Sequence, residues 1–209
     1  MRETLNSIVF GWYPYICVTV FLFGSLFRFD REQYTWRTGS SQLLRRRQLT
    51  WGSNLFHIGI LMIAGGHFVG LLTPIWIFDM LGVSHSFKQM LAIVVGGIAG
   101  LMCLFGISLL THRRLFDPRI RANSSFGDTA ILLLLFAQLL LGLSTIFVSL
   151  GHLDGHEMVK FMSWAQGIVT LQPNAASYVL DVHPIFKAHL VLGMTLFLVF
   201  PFTRLVHIW

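Results

Sequence analysis

The sequence predicts an all-α integral membrane bundle of five transmembrane helices, with the N-terminus outside and the C-terminus cytoplasmic. Three observations carry that reading. Of 209 residues, 55% are hydrophobic and only 11% charged, against roughly 25% charged in an ordinary soluble domain, so a water-soluble fold could not hide the apolar surface. Apolar runs of about 18 residues or more occur five times, at about 8–27, 55–72, 90–110, 129–150 and 185–208. The cations alternate between the connecting segments. Arg28, Arg31, Arg37, Arg45, Arg46, Arg47, Arg113, Arg114, Arg119, Arg121 and Arg204 fall on one side, and Arg2, Lys88, Lys160 and Lys187 on the other. Eleven against four is a positive-inside bias. The net charge of +6 is therefore a topology signal and not a nucleic-acid footprint. The expectation is one membrane domain, 1–209, multi-pass in the cytoplasmic (inner) cell membrane, with lipid as its surroundings and no nucleic-acid partner.

The first run opens with Trp12, Tyr13 and Tyr15, aromatics suited to a membrane interface. Pro14 sits near its start, where a missing amide costs little. No small-residue cleavage site follows, so the run reads as a retained span. Cys17 and Cys103 belong to no CxxC pair and read as buried packing residues. The basic, aromatic loop from Phe27 to Trp51 is either a solvated positive-inside loop or a docking surface for a cytoplasmic partner. The second run stops at Thr73-Pro74, and the outer loop after it carries Trp76, Asp79, His85 and Lys88.

In the third run, Gly96, Gly97, Gly100 and Gly106 permit close helix packing or the approach of a flat cofactor, with packing preferred. Asp128 is the expected N-cap of the fourth run. That run has no histidine, and Gln138 is expected to bond across helices in a scaffold role. Between Gly151 and Pro184, Met158, Phe161, Met162, Ala165, Ile168 and Val169 recur at helical spacing, predicting a short amphipathic helix on the outer face.

Four histidines carry the chemistry. His57 and His67 lie on the second run and His189 and His207 on the fifth, and imidazole within hydrocarbon calls for a partner. The two runs are antiparallel, so His67 pairs with His189 near the outside and His57 with His207 near the inside. Two histidine pairs at two depths suit two b-type haems, each iron held by imidazoles from facing helices. The spacing is uneven: ten residues against eighteen, where eighteen keeps one helix face and ten rotates by about 80°. Arg113, Arg114 or Arg37 could serve the haem propionates. His85, His112, His152, His156 and His183 fall in loops and are expected not to be ligands. A transporter using the histidines as a path is the rival from another class, disfavoured by the absence of Asp or Glu within the runs.

The stretches QYTWRTGSSQ, SNLFHIGIL, GHFVGLLTP, RRLFDPRIRA, WAQ and HLVLGMTLFLVFPFTRLVHIW resemble the gamma subunits of respiratory nitrate reductases, di-haem cytochromes b that anchor cytoplasmic catalytic subunits. The resemblance covers nearly the whole chain. It implies His67 and His189 as ligands of the outer (distal) haem, and His57 and His207 as ligands of the inner (proximal) one. It also implies oxidation of a quinol, menaquinol or ubiquinol, beside the outer haem, with Lys88 aligned to an assisting lysine and Gly66 adjoining the ligand. Electrons would pass to an iron-sulfur beta subunit and then to a molybdenum alpha subunit that reduces nitrate. Without the resemblance, Lys88 reads as an interfacial anchor. The alternative within the same class is a cytochrome b anchor of another respiratory reductase, a hydrogenase or a formate dehydrogenase. Family members continue past HIW with a basic tail, so contacts made by such a tail are not carried over.

Overall fold

An apolar run away from water must satisfy its own backbone, and a helix does so within one segment. In the computed structural model, which describes residues 1–32, 34 and 44–209, five helices are long and apolar enough to cross a membrane. They are span one (Arg2–Arg31), span two (Arg46–Leu72), span three (His85–Phe116), span four (Phe126–Ser149) and span five (Pro184–Phe202). No strand occurs among the described residues. Each of the first four starts earlier than its apolar run, because polar first turns join the hydrogen-bond ladder although hydropathy leaves them out. Arg37 and all of QYTWRTGSSQ except Tyr34 lie outside the described residues.

Small residues set the packing of spans two and three, the most extensive helix pair. A Cβ on Gly59 would lie 2.7 Å from Cys103 Cβ and 2.8 Å from the Ala99 carbonyl oxygen. A Cβ on Gly106 would lie 2.8 Å from the Gly52 carbonyl oxygen. Cys17 and Cys103 are fully buried, the packing role expected of them. The span-three glycines divide. Gly100 and Gly106 sit against Leu143 and span two, whereas Gly96 faces open space.

Span four begins differently from expectation. Its N-cap is Ser125, whose hydroxyl accepts from the Asp128 N–H at 3.1 Å, while the Asp128 carboxylate accepts from the Ser125 N–H at 3.3 Å. Asp128 is thus the third residue of a capping box and not the cap itself. Its carboxylate also faces Arg114 at 3.7 Å and Arg204 at 3.5 Å. The predicted amphipathic helix forms over His156–Val169. Met162 and Ala165 are buried as expected, but Val169 is exposed at the helix end and Trp164 takes the buried place.

Span five ends its α-helix at Val199 and continues as two 3-10 turns, Phe200–Phe202 and Arg204–Ile208. Thr203 between them is extended, with φ −121° and ψ 175°. Pro201 cannot continue an α-helical ladder, and span one holds the broken end. Gly24 admits the Pro201 ring, which would lie 3.0 Å from any Cβ there. Phe21 packs on Phe197, Phe200 and Trp209 with ring centres 5.3, 4.9 and 5.6 Å apart. Arg28 donates to the carbonyls of Pro201 and Thr203.

At the end of span three, Asp117 caps the short helix Pro118–Ala122 through the N–H groups of Arg119 and Ile120, and pairs with Arg45 at 2.6 Å. Desolvation pushes its carboxyl up, but the Ile120 N–H, the Arg45 guanidinium and the Arg119 N–H outweigh it, so the group titrates below 3.8.

Two outcomes follow from this packing. Gly59→Leu is expected to force spans two and three apart and cost about 1–3 kcal/mol, lowering the thermal unfolding midpoint in detergent. Gly97→Ala, whose Cβ would meet only Ile146 Cδ1 at an ordinary 3.6 Å, should not lower the midpoint. The contribution of Asp117, whose folded value is depressed, is present above pH 3.8 and lost as pH falls through that lower folded value. Hydrogen exchange at Arg119 and Ile120 should accelerate across that window, and Asp117→Asn should remove the pH dependence.

Candidate cofactor sites

The break in span five settles the uneven histidine spacing. From His189 to the last α-helical residue, Val199, is ten residues, the same as from His57 to His67. His207 is therefore not five α-turns along a continuous helix. It sits on the 3-10 turn beyond Thr203 and meets His57 there. The ring centres of His57 and His207 are 6.2 Å apart with planes at 74°. Those of His67 and His189 are also 6.2 Å apart, with planes at 47°. These are the two pairs expected from antiparallel topology.

Three of the four imidazoles are aimed by their own backbone. Nδ1 of His57 bonds the Ser53 carbonyl at 2.7 Å, that of His67 the Ile63 carbonyl at 2.8 Å, and that of His207 the Arg204 carbonyl at 2.7 Å. A carbonyl on Nδ1 fixes the tautomer with the proton there and leaves Nε2 as a free electron pair. His189 is held by shape. Its Nδ1 is buried with no hydrogen-bond partner, and the ring lies against Gly142, where a Cβ would fall 2.9 Å from Cε1. Gln138 donates to the His189 carbonyl at 3.1 Å, the cross-helix bond expected of it, and Gly193 makes room for that amide. No sequence pattern marks the contribution of Gly142, one of two glycines in span four.

The spacing suits a shared metal. Metal–imidazole bonds of about 2.0–2.1 Å, with about 1.2 Å from nitrogen to ring centre, put two opposed imidazole centres about 6.4–6.6 Å apart at full extension. Each pair offers two nitrogens, and no cluster of three or more His, Cys, Asp or Glu suited to a metal occurs among the described residues. A metal between such a pair would need its other positions filled by a non-protein ligand, and the donor set fits a planar macrocycle with two axial imidazoles. Gly65, Gly66, Gly70 and Gly96 have nothing within 4 Å of a would-be Cβ, leaving backbone open to a flat edge.

Lys88 lies in the first turn of span three and is 7% exposed. Its Nζ stands 4.3 Å over the Phe78 ring and has no hydrogen-bond partner. The register set by Gly59 against Ala99 and Cys103 puts Lys88 about level with Leu72, about 8 Å beyond His67 at helical rise. Lys88 and Gly66 thus share the His67 end of the bundle. A buried ammonium with three unused N–H groups calls for an acceptor.

At the other end, Arg113 is buried and donates to the Leu44 carbonyl at 2.7 Å, while Arg114 and Arg204 share Asp128. Two cations on one anion leave a surplus positive charge three residues from His207. Among the remaining histidines expected in loops, His85 opens span three and His112 lies within it, sharing a hydrogen bond with Gln48, while His156 opens the helix His156–Val169. His183 caps span five.

A family profile described as nitrate reductase gamma subunit matches residues 6–209. The respiratory nitrate reductase 1 gamma chain of Escherichia coli strain K12 is 52% identical over 207 residues, covering 99% of this chain and 92% of the relative. The respiratory nitrate reductase 2 gamma chain of the same strain is 49% identical over 209 residues, covering 100% and 92%. The nitrate reductase gamma chain of Bacillus subtilis strain 168 is 38% identical over 205 residues, covering 98% and 91%.

Gly142→Val is expected to displace the His189 ring and empty the His67/His189 pair while sparing His57/His207. In a chain whose two pairs each hold a metal, metal content and optical spectrum would then fall to those of one site, whereas two intact sites would mean the ring tolerates the added methyls.

Proposed function

Because this chain belongs to the nitrate reductase gamma subunit family, a non-catalytic subunit of an oxidoreductase complex, we propose that it is the quinol-oxidising cytochrome b of that complex. The observation that carries the proposal is the pair of facing imidazole couples, each at 6.2 Å, between spans two and five. In this reading His67 and His189 hold an outer haem b, and His57 and His207 an inner one. When bound, the haems supply one-electron transfer from menaquinol or ubiquinol to a cytoplasmic iron-sulfur subunit, which feeds the molybdenum subunit that reduces nitrate.

The chain's own residues do the rest. The cation bias supports a cytoplasmic position for the His57 end, which carries Arg45, Arg46, Arg47, Arg113, Arg119 and Arg121. There the surplus charge of Arg114 and Arg204 favours anionic propionates and an acidic docking face. At the outer end, Gly66 leaves space beside His67, and Lys88 offers its unused N–H groups to a quinol oxygen. A cation there stabilises negative charge as the hydroxyl loses its proton. Protons leave outside and electrons move inward, so the step works against the membrane potential by up to about 2.3 kcal/mol per charge per 100 mV.

A pyridine haemochrome assay should find two b haems per chain, and a spectrum without a b-type band would end the proposal. His67→Ala or His189→Ala should remove the outer haem and quinol oxidation, and loss of the inner haem alone would contradict the pairing. Lys88→Ala is expected to slow quinol turnover on the order of a hundredfold with both haems retained. Unchanged kinetics would return Lys88 to the role of an interfacial anchor.

A further inference from the structure

Spans two and five carry the histidines, yet each takes its main support elsewhere: span two packs chiefly on span three, and span five on spans one and four. The distance between His67 and His189 therefore depends on a third element. The helix His156–Val169 reaches both. On span two, Gln166 donates both amide hydrogens, to the Leu71 carbonyl at 3.1 Å and the Thr73 carbonyl at 2.9 Å. Pro74 ends that helix and leaves these terminal carbonyls without helical donors. Leu71 is one turn beyond His67. On span five, Phe161 packs its ring on Phe186 at 4.9 Å between centres, and Phe186 is close to one turn before His189.

The same helix is anchored to span one. Pro14 has no N–H to give to the Phe10 carbonyl four residues back, and the buried Trp164 indole N–H bonds that carbonyl at 2.9 Å. Gly167 lets the helix close on Ala175, where a Cβ would lie 2.9 Å from the Ala175 Cβ, at the turn leading into span five. The WAQ stretch thus has a physical content. Its indole and its amide serve carbonyls beside two prolines.

We propose that the helix His156–Val169 is a spacer that sets the separation of the His67/His189 pair, with Gln166 and Phe161 as its positioning residues on spans two and five and Trp164 as its anchor on span one. The proposal rests on the reading of that pair as haem ligands. Gln166 acts through the backbone of span two and does not touch the pair. Its loss moves His67 relative to His189 and leaves the His57/His207 pair, at the far end of the same helices, in place.

The test is Gln166→Met, which keeps length and removes both donors, made in the full chain expressed with its partner subunits. Low-spin ferric signals and midpoint potentials of the two haems are recorded alongside quinol-dependent reduction of each. The expected result is two haems per chain, a shifted outer signal and potential, severalfold slower reduction of the outer haem, and an unmoved inner haem. An unmoved outer haem, or equal shifts in both, overturns the proposal. If Gln166→Met does not assemble, Trp164→Phe and Phe161→Leu are measured in the same way and judged by the same outcomes. A wild-type chain without two b haems defeats the functional reading itself. A wild-type chain with both, and a Gln166→Met outer haem identical to it, defeats only the spacer.

Discussion

An imidazole on an apolar membrane-spanning segment calls for a partner group, and the architecture of this chain is arranged around four of them, three exposed and His189 partly buried. The cost of leaving such a nitrogen in hydrocarbon explains why three Nδ1 atoms fold back on carbonyls within their own helices or turns. It also explains why the rings meet in couples and not singly. The small residues serve this arrangement at one remove. Gly59 and Gly106 lock span two, which carries His57 and His67, to span three, and Gly142 seats the His189 ring directly on span four.

The helix ends show how polar groups are satisfied without water. Ser125 and Asp128 exchange hydrogen bonds at the start of span four, Asp117 serves the short helix after span three, and Gln166 serves the end of span two. Near each of three prolines a distant side chain donates to an open carbonyl: Trp164 to Phe10 before Pro14, Gln166 to Leu71 and Thr73 before Pro74, and Arg28 to Pro201 and Thr203. These are long-range bonds between segments far apart in sequence, so they fix tertiary arrangement as well as local shape.

Much of this was legible in the residues. Hydropathy and length locate all five spans, and chain direction alone pairs His67 with His189 and His57 with His207. What could not be read was how eighteen residues on one helix match ten on the other. Pro201 was visible, but its effect depends on Gly24, Phe21 and Arg28 of span one, which nothing local connects to it. The same limit applies to Asp128, where the competing Ser125 cap differs by geometry and not by residue type. Gly142 carried no pattern at all, because its meaning comes from a ring on another helix. Arg37 and most of the loop around it lie outside the described residues.

The interruption after Val199 has a mechanical consequence. A continuous helix bearing two rings is a lever, and any small rotation about its axis would swing both together. Extended Thr203 removes that stiffness, and the aromatic seat on span one holds the last turn by its own contacts. His189 and His207 therefore belong to one segment of sequence but to two independent supports. A disturbance at one face of the membrane, such as a molecule arriving or departing there, is not handed through the helix to the ring at the other.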